Sequence, residues 1–353
     1  MSLLRDLYRG ETQFDFVGNR RKWFAASAVI ILVSTLSLVF RGENLSVDFE
    51  GGTLVEVENP AGATVTQVRD AVTAIGIGNA RVQTTSGGDG IRVQTAELGP
   101  EDEALLVETL SDLAGVDPAD ASRQTVGPTF GDQITKAAVR ALIVFLLVVA
   151  LYISWRLEFK MAMAGLVALG HDLLFTAGIY SLVGFEVSPA TVIAILTILG
   201  YSLYDTVVVF DKVQENVRER GDRHTFSGIV NMSMNQVFMR SLNTSFTSLL
   251  PIGSLLFVGS FLLGATTLRE FALALFVGVA TGTYSSIFLA APLLSVWKER
   301  EEHWQRVRRR VERRGGEEDF GPRTMTVTPE MTAQAIQQSG AAPRPPRKRK
   351  RKR

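Results

Sequence analysis

Asp205 stands inside an otherwise apolar run, residues 192–210, that is long enough to cross a bilayer. Inserting a carboxylate there costs at least roughly 2.5 kcal/mol, so a functional role is its first reading. The chemistry open to a carboxylate in hydrocarbon is to take up a proton and give it back. Thr197, Tyr201 and Asp205 follow at four-residue steps and so share one helical face, with Tyr204 beside them. In the next apolar segment Asn243, Thr244, Thr247 and Ser248 form a similar stripe below Arg240, which marks its charged end. At about 1.5 Å of rise per residue, Asp205 lies roughly 8 Å from the charged boundary, within reach of a long arginine side chain. A charge pair between Asp205 and Arg240 on facing helices is therefore expected, and protonating the carboxylate would open it. Two plainer readings stand beside this one. Asp205 can be a polar residue near the water at Asp211 and Lys212, although the apolar residues 207–210 separate it from that loop. Arg240 can be an ordinary snorkelling arginine at the interface.

A second carboxylate, Asp172, follows His171 near the middle of another apolar segment. The pair can relay protons, bind a metal or form a hydrogen bond between helices. Metal binding is poorly supported, because the chain has only three histidines and His224 and His303 lie in charged segments. Gly278 and Gly282 form a small-xxx-small pair, most simply a close-packing face. Zero cysteines rule out disulfides.

These residues need a membrane bundle to position them. Apolar residues make up 46% of the chain, and six segments have the length and composition of spans: 23–40, 141–155, 162–183, 190–210, 242–263 and 271–296. The second is short unless Lys136 and Arg140 snorkel. The first exceeds a signal-peptide core and lacks a small-residue cleavage site before Arg41, so it reads as an anchor. Lys and Arg crowd the N-terminus (Arg5, Arg9, Arg20, Arg21, Lys22), the turn at Arg156 and Lys160, the segment 211–239 and the tail after Lys298. The positive-inside rule puts all four in the cytoplasm, with both termini inside.

The overall charge of +1 hides an asymmetry. Residues 41–135 hold 16 acidic side chains against five arginines, a net −11, as expected of a translocated domain. Alternation over 53–58 reads as a strand, Thr64 caps a helix to about Ile75, and 80–85 with 91–95 reads as a hairpin around a glycine-rich turn at 87–90. A second helix over 100–113 starts with Glu101, Asp102 and Glu103, and a last strand covers 123–126. The order β-α-β-β-α-β is that of a ferredoxin-like sandwich. The fold class is thus an α-helical integral membrane protein, six spans with one α+β domain between the first and second. Residues 213–237 read as a cytoplasmic hairpin or surface helix. The segment 298–353 reads as a basic, disordered tail that ends in seven basic residues. Without interleaved aromatic residues the tail fits anionic lipid better than a specific nucleic acid.

Several motifs together resemble the SecF family, the smaller half of the bacterial SecDF protein-translocase accessory complex in the resistance-nodulation-division superfamily. They are Val47-Asp-Phe-Glu-Gly-Gly-Thr-Leu-Val-Glu56, Ala168-Leu-Gly-His-Asp172 and Leu196-Thr-Ile-Leu-Gly-Tyr-Ser-Leu-Tyr-Asp-Thr-Val-Val-Val-Phe-Asp-Lys212, with Phe14-Asp-Phe-Val-Gly18 and Gly282-Thr-Tyr-Ser-Ser286. The resemblance covers about residues 11–297 and implies a non-enzymatic machine of the bacterial cytoplasmic membrane. In that machine protons serve as coupling ion and no other cofactor is used. Its implied partners are SecD, the SecYEG channel, other Sec accessory proteins and the translocating preprotein. The family's essential carboxylate falls on Asp205 and its arginine on Arg240. His171, Asp172, Tyr201, Tyr204 and Thr247 become candidates for a proton path or for packing, and Asp48, Gly51 and Gly52 for a domain hinge or a tight bulge. Tyr204 departs from the family's usual Asn, and Lys212-Val213-Gln214 from a more basic run.

Two other classes are weighed against it. A small-molecule efflux subunit of the same superfamily would carry two large outer domains and about twelve spans. An intramembrane aspartyl protease would need a second aspartate in a Gly-x-Gly-Asp context, which this chain lacks. The topology is testable: a cysteine at Gly88 should react with an impermeant thiol reagent in intact spheroplasts, and one at Gly315 should not. The reverse pattern would overturn the orientation.

Overall fold

The computed structural model describes residues 14–84, 90–221, 223–262 and 266–314. The expected turn at 87–90 lies, apart from Gly90, outside the described residues, as do Arg5, Arg9 and the tail from Gly315.

The described residues are mostly helical, and among them six helices are long and apolar enough to cross a membrane. An apolar backbone segment in hydrocarbon must satisfy its own N–H and C=O groups, which is why these runs are helical. They are α1 (Arg20–Arg41), α5 (Pro128–Arg156), α6 (Phe159–Val183), α7 (Pro189–Arg220), α8 (Phe226–Ser254, continued by a π-helical turn, Leu255–Leu262) and α9 (Thr266–Ser285). The last continues through a second π turn, Ser286–Ala290, into α10 (Ala291–Lys298). The spans exceed their apolar cores. The segment expected as a loop over 211–239 is mostly the end of α7 and the start of α8, and Phe226, Ile229, Val230 and Met234 are buried in the bundle core. The inner helices are α6, α7 and α9–α10: 56% of the most apolar window of the last is buried, against 11% for α5.

Small residues allow the inner helices to approach. A Cβ on Gly278 would collide with the Ile198 side chain, and one on Gly282 would sit 2.8 Å from Ser202 Cβ, so α9 presses its backbone onto α7. At the far end of the bundle Phe14 and Phe16 stack on Phe238, and their N–H groups donate to Asn235 and Asn231 at 2.8 Å each. The stretch 302–313, expected to be disordered, is instead a helix, α11 (Glu302–Arg313). Trp304, Val307 and Val311 recur at helical spacing, and Trp304 packs edge-on against Phe226 with centroids 4.9 Å apart.

Between α1 and α5 lies an α+β domain. Its elements are β1 (Asn44–Leu45), the short helix α2 (Val47–Glu50), β2 (Gly52–Glu58), α3 (Val65–Ala74), β3 (Arg81–Thr84), β4 (Gly90–Thr95), α4 (Pro100–Ala114) and β5 (Ser122–Val126). The last four strands form an antiparallel sheet in the order β3-β4-β2-β5. Thr64 and Gln67 close a capping box on α3. Pro100 at the first turn, acids behind it and Gly115 in a left-handed C-cap delimit α4. Val55, Val57, Ile91 and Val93 of the sheet bury with Val68 and Val72 of α3 and Leu106 and Leu110 of α4. Each such side chain contributes about 1.5–3 kcal/mol, enough for a core without disulfides. The strand β6 (Glu186–Val187), just before α7, pairs in parallel with β1.

Gly51 and Gly52 adopt φ of 75° and 120°. A Cβ on Gly51 would lie 2.8 Å from Pro128 Cα, and one on Gly52 would collide with the Thr95 carbonyl. In this conformation the motif is a tightly packed turn wedged between the sheet and α5. Gly52→Ala should therefore lower the thermal midpoint of the domain by strain of about 1–3 kcal/mol plus the collision. Gly62→Ala, at φ 69° with open space around it, should add strain alone. Proteolysis along a thermal ramp of the full chain reads both; equal losses would mean that the close approach does not matter.

Candidate functional site

Asp205 is buried on α7, 8% exposed. Its Oδ1 accepts a hydrogen bond from Ser241 Oγ of α8 at 2.7 Å. Its Oδ2 is buried and has no hydrogen-bond partner among the described residues. A free lone pair in a dry site is where a proton can be added.

The expected charge pair with Arg240 is not formed. Arg240 Nη2 donates instead to the hydroxyl of Tyr204, at 3.2 Å, on the exposed side of α7 and α8. The reason is rotational: each residue turns about 100° around a helix, so with Ser241 facing Asp205, Arg240 meets the neighbouring Tyr204 of α7 instead. The four-residue stripe fares similarly. Thr197 is exposed and donates to Ile193 of its own helix, Tyr201 is half-buried, and Tyr204 is 56% exposed. On α8, Asn243 and Thr247 are exposed, and Thr247 bonds only to backbone oxygens one turn back. Beside Asp205, the inward polar face consists of residues in another register of the same four-residue spacing: Ser202 and Thr206 on α7, Ser241 and Ser245 on α8.

Asp172 is the second buried carboxylate. His171 Nδ1 lies 3.3 Å from its Oδ1, while Oδ2 accepts from Ser202 Oγ at 2.5 Å and from Ser285 Oγ of α9 at 2.9 Å. Asp172 thus ties α6, α7 and α9 together, which favours its reading as an interhelical acceptor. Thr206 meets Ser286 at 2.9 Å and Ser245 meets Thr283 at 2.7 Å. A seam of hydroxyls therefore runs between the two carboxylates, and α7 carries part of it next to each. No cluster of His, Asp and Glu suited to a metal occurs among the described residues.

A charged cluster at the other end of α7 escaped sequence reasoning altogether. Arg92 of β4 pairs with Glu56 of β2 at 3.1 Å, with Glu186 of β6, and with Glu270 near the start of α9 at 3.5 Å. Burial pushes the Glu186 carboxyl up against the opposing pull of Arg92. Beside the cluster, Glu43 is raised to about 7 by burial. The signal available was the isolation of Glu186 as the only charge between α6 and α7.

Residues 107–300 match the model of the family described as protein export membrane protein SecD/SecF, C-terminal. Protein translocase subunit SecF of Mycobacterium tuberculosis is 45% identical over 326 residues, spanning 89% of this chain and 73% of that one. The chain belongs to the SecF family. Protein translocase subunit SecF of Streptomyces coelicolor is 41% identical over 307 residues, 86% of this chain and 82% of that one. The crystal structure of SecDF from Thermus thermophilus, described as a translocon-associated membrane protein, superposes with a TM-score of 0.75 at 35% identity. That match takes in 82% of this chain and 39% of the SecDF chain, so the chain spans about two fifths of the solved SecDF. The chain is thus a multi-pass protein translocase subunit of the SecF/SecDF type, as its motifs implied.

The raised carboxyl gives a pH test. Glu43 is protonated in the folded chain up to about pH 7, whereas an exposed one ionises near 4.5, so its contribution to stability is present at low pH and lost as pH rises through 7. Glu43→Gln should raise the thermal midpoint at pH 8 and change it little at pH 4.5. An equal shift at both pH values would refute the assignment.

Proposed function

We propose that this chain is the SecF half of a proton-driven export machine: with SecD it uses the proton gradient to assist preproteins through the SecYEG channel. The observation that carries the reading is Asp205, a buried carboxylate at hydrocarbon depth with one oxygen held by Ser241 and the other without a donor. Adding a proton to Oδ2 changes the charge between α7 and α8 and with it the balance of the Ser241 contact. Each charge moved through 100 mV is worth about 2.3 kcal/mol, sufficient to bias a two-state rearrangement of packed helices. Arg240 stands about 100° around α8 from Ser241 and is bonded to Tyr204, the neighbour of Asp205, so re-aiming its long side chain would bring it to Asp205 as the partner that expels the proton inward. His171, Asp172 and the hydroxyl seam are candidate stations on the path.

The partnership with SecD is supported by two things. The matched SecDF chain has a large remainder that this chain lacks. Tyr204, Arg240 and Asn243 are polar side chains turned out of the bundle, which in hydrocarbon favours another protein covering them. Family membership supports the bacterial cytoplasmic membrane, and the distribution of Lys and Arg supports both termini inside. We assign the α+β domain to the ferredoxin-like class and to the outer face; the order β3-β4-β2-β5 supports the class, and the net −11 of 41–135 supports the side. Asp48, Gly51 and Gly52 would be the pivot on which it moves. The basic tail would bind anionic lipid.

The test separates a titrating carboxylate from a structural one. Asp205→Asn keeps shape and hydrogen bonding but cannot titrate, so the gradient-dependent gain in preprotein translocation into ATP-loaded inverted vesicles should vanish while SecD still co-purifies. Asp205→Glu should keep part of the gain. A full gain in the Asn variant would exclude the proton role.

A further inference from the structure

The two helices that line the polar seam most closely, α7 and α9, both begin beside the α+β domain, and both present a glutamate there. Glu186 lies three residues before Pro189, the first residue of α7, and Glu270 is in the first turns of α9. Both approach the same atom, Arg92 Nη1: Glu186 Oε2 in close contact, Glu270 Oε1 at 3.5 Å. The other fork of the guanidinium is held within the sheet by Glu56, directly opposite Arg92 in the β2–β4 register. Arg92 Nε is buried with no acceptor among the described residues. One rigid guanidinium is therefore fixed to the sheet on one side and shared unequally on the other between α9 and the strand β6 that leads into α7.

The surroundings leave it room to move. A cavity of about 580 Å³ adjoins the cluster, lined among others by Glu43, Arg81, Tyr180 and Arg269. The segment before α7 is otherwise tied to the domain by short contacts: the two-residue β1–β6 ladder, the bond from Ser46 N to Val187 O at 3.0 Å and the one from Asn44 Nδ2 to Gly184 O at 3.2 Å. Deeper in the bundle, the α9 backbone at Gly278 and Gly282 packs against Ile198 and Ser202 of α7. A sliding or tilting of one helix past the other changes the positions of Glu186 and Glu270 relative to each other, and with them the share of Arg92 that each holds.

We propose that Arg92 is the coupling residue between the membrane helices and the α+β domain: its guanidinium shifts its hold between Glu186 and Glu270 as α7 and α9 move, and carries that displacement into the central strands of the sheet. The inference rests on the proton-coupled reading of Asp205, and it assigns the mechanical output of that site to one side chain. Buried charge contacts suit such a task, because the N–H groups of a guanidinium point in fixed directions, so a shift of either carboxylate changes how strongly it is held.

The test uses the absence of cysteine. Spin labels at Asp70→Cys on α3 and Val183→Cys at the end of α6 report the domain-to-bundle distance by pulsed dipolar spectroscopy, in nanodiscs that hold the SecD partner. Asp205→Asn should shift the distance distribution of the otherwise unaltered chain. Arg92→Met should broaden the distribution, and Asp205→Asn should then add no further shift. Glu186→Gln, which alters no residue of the sheet, should uncouple in the same way and guards against a misfolded domain. Arg92→Lys, a point charge that cannot fork, should be intermediate. The same Asp205→Asn shift with and without Arg92 would overturn the proposal. So would no shift at all, since Arg92 would then have nothing to carry. The proton reading is judged separately by translocation: an Asp205→Asn chain that loses its gradient-dependent gain without a distance change keeps that reading and discards this one.

Discussion

Hydrocarbon offers no solvent hydrogen bonds, so each carboxylate in the bundle has to be served by hydroxyls from other helices. Asp172 has two such donors, Ser202 and Ser285, and Asp205 has one, Ser241. That requirement sets the arrangement of the inner helices: α6, α7 and α9 meet where Asp172 is satisfied, and α8 meets α7 where Asp205 is. The glycines at 278 and 282 are the steric counterpart, since hydroxyls as short as serine's reach across only if the backbones nearly touch. The difference between the two carboxylates is also instructive. The fully served one ties three helices together; the partly served one keeps an oxygen with no donor among the described residues.

The α+β domain is built to a different rule, with a core of valine, leucine and isoleucine and charge kept on its surfaces. Where the domain meets the bundle the rule is broken, and one arginine is enclosed by three carboxylates. Both ends of the domain are joined to spans with almost no slack: Gly42 and Glu43 link α1 to β1, and Gly127 alone separates β5 from α5. A domain held so closely cannot swing freely on a flexible tether, so its movements must follow those of the helices.

The alternation over β2, the cap at Thr64, the acids that open α4 and the apolar runs were all legible because each is a local pattern with a local cause. The carboxylates were legible too, since an ionisable residue in a span stands out against its neighbours. What could not be read was angular. Arg240 and Ser241 are adjacent in sequence but about 100° apart around α8, and no pattern in the chain says which of them faces α7. The serines escaped because a small hydroxyl in a span can always bond its own helix and so carries no obvious demand for a partner. The Arg92 cluster joins residues from 56 to 270 and depends wholly on tertiary placement. In α11 the arginine-rich composition outweighed three apolar residues whose spacing marks a buried stripe.

The base of the bundle is fastened more firmly than its other end. Phe14 and Phe16 are locked onto α8 by Phe238, Asn231 and Asn235, and α11 clasps the start of α8 through Trp304 and Phe226. At the opposite end α7 is retained by a two-residue ladder and a shared guanidinium. The base of α7 is in turn held to α8, where Asn216 donates to Ser233 and Gln236, so α7 behaves as a lever with that contact as its fulcrum: a small displacement at mid-length grows with distance from it toward the domain.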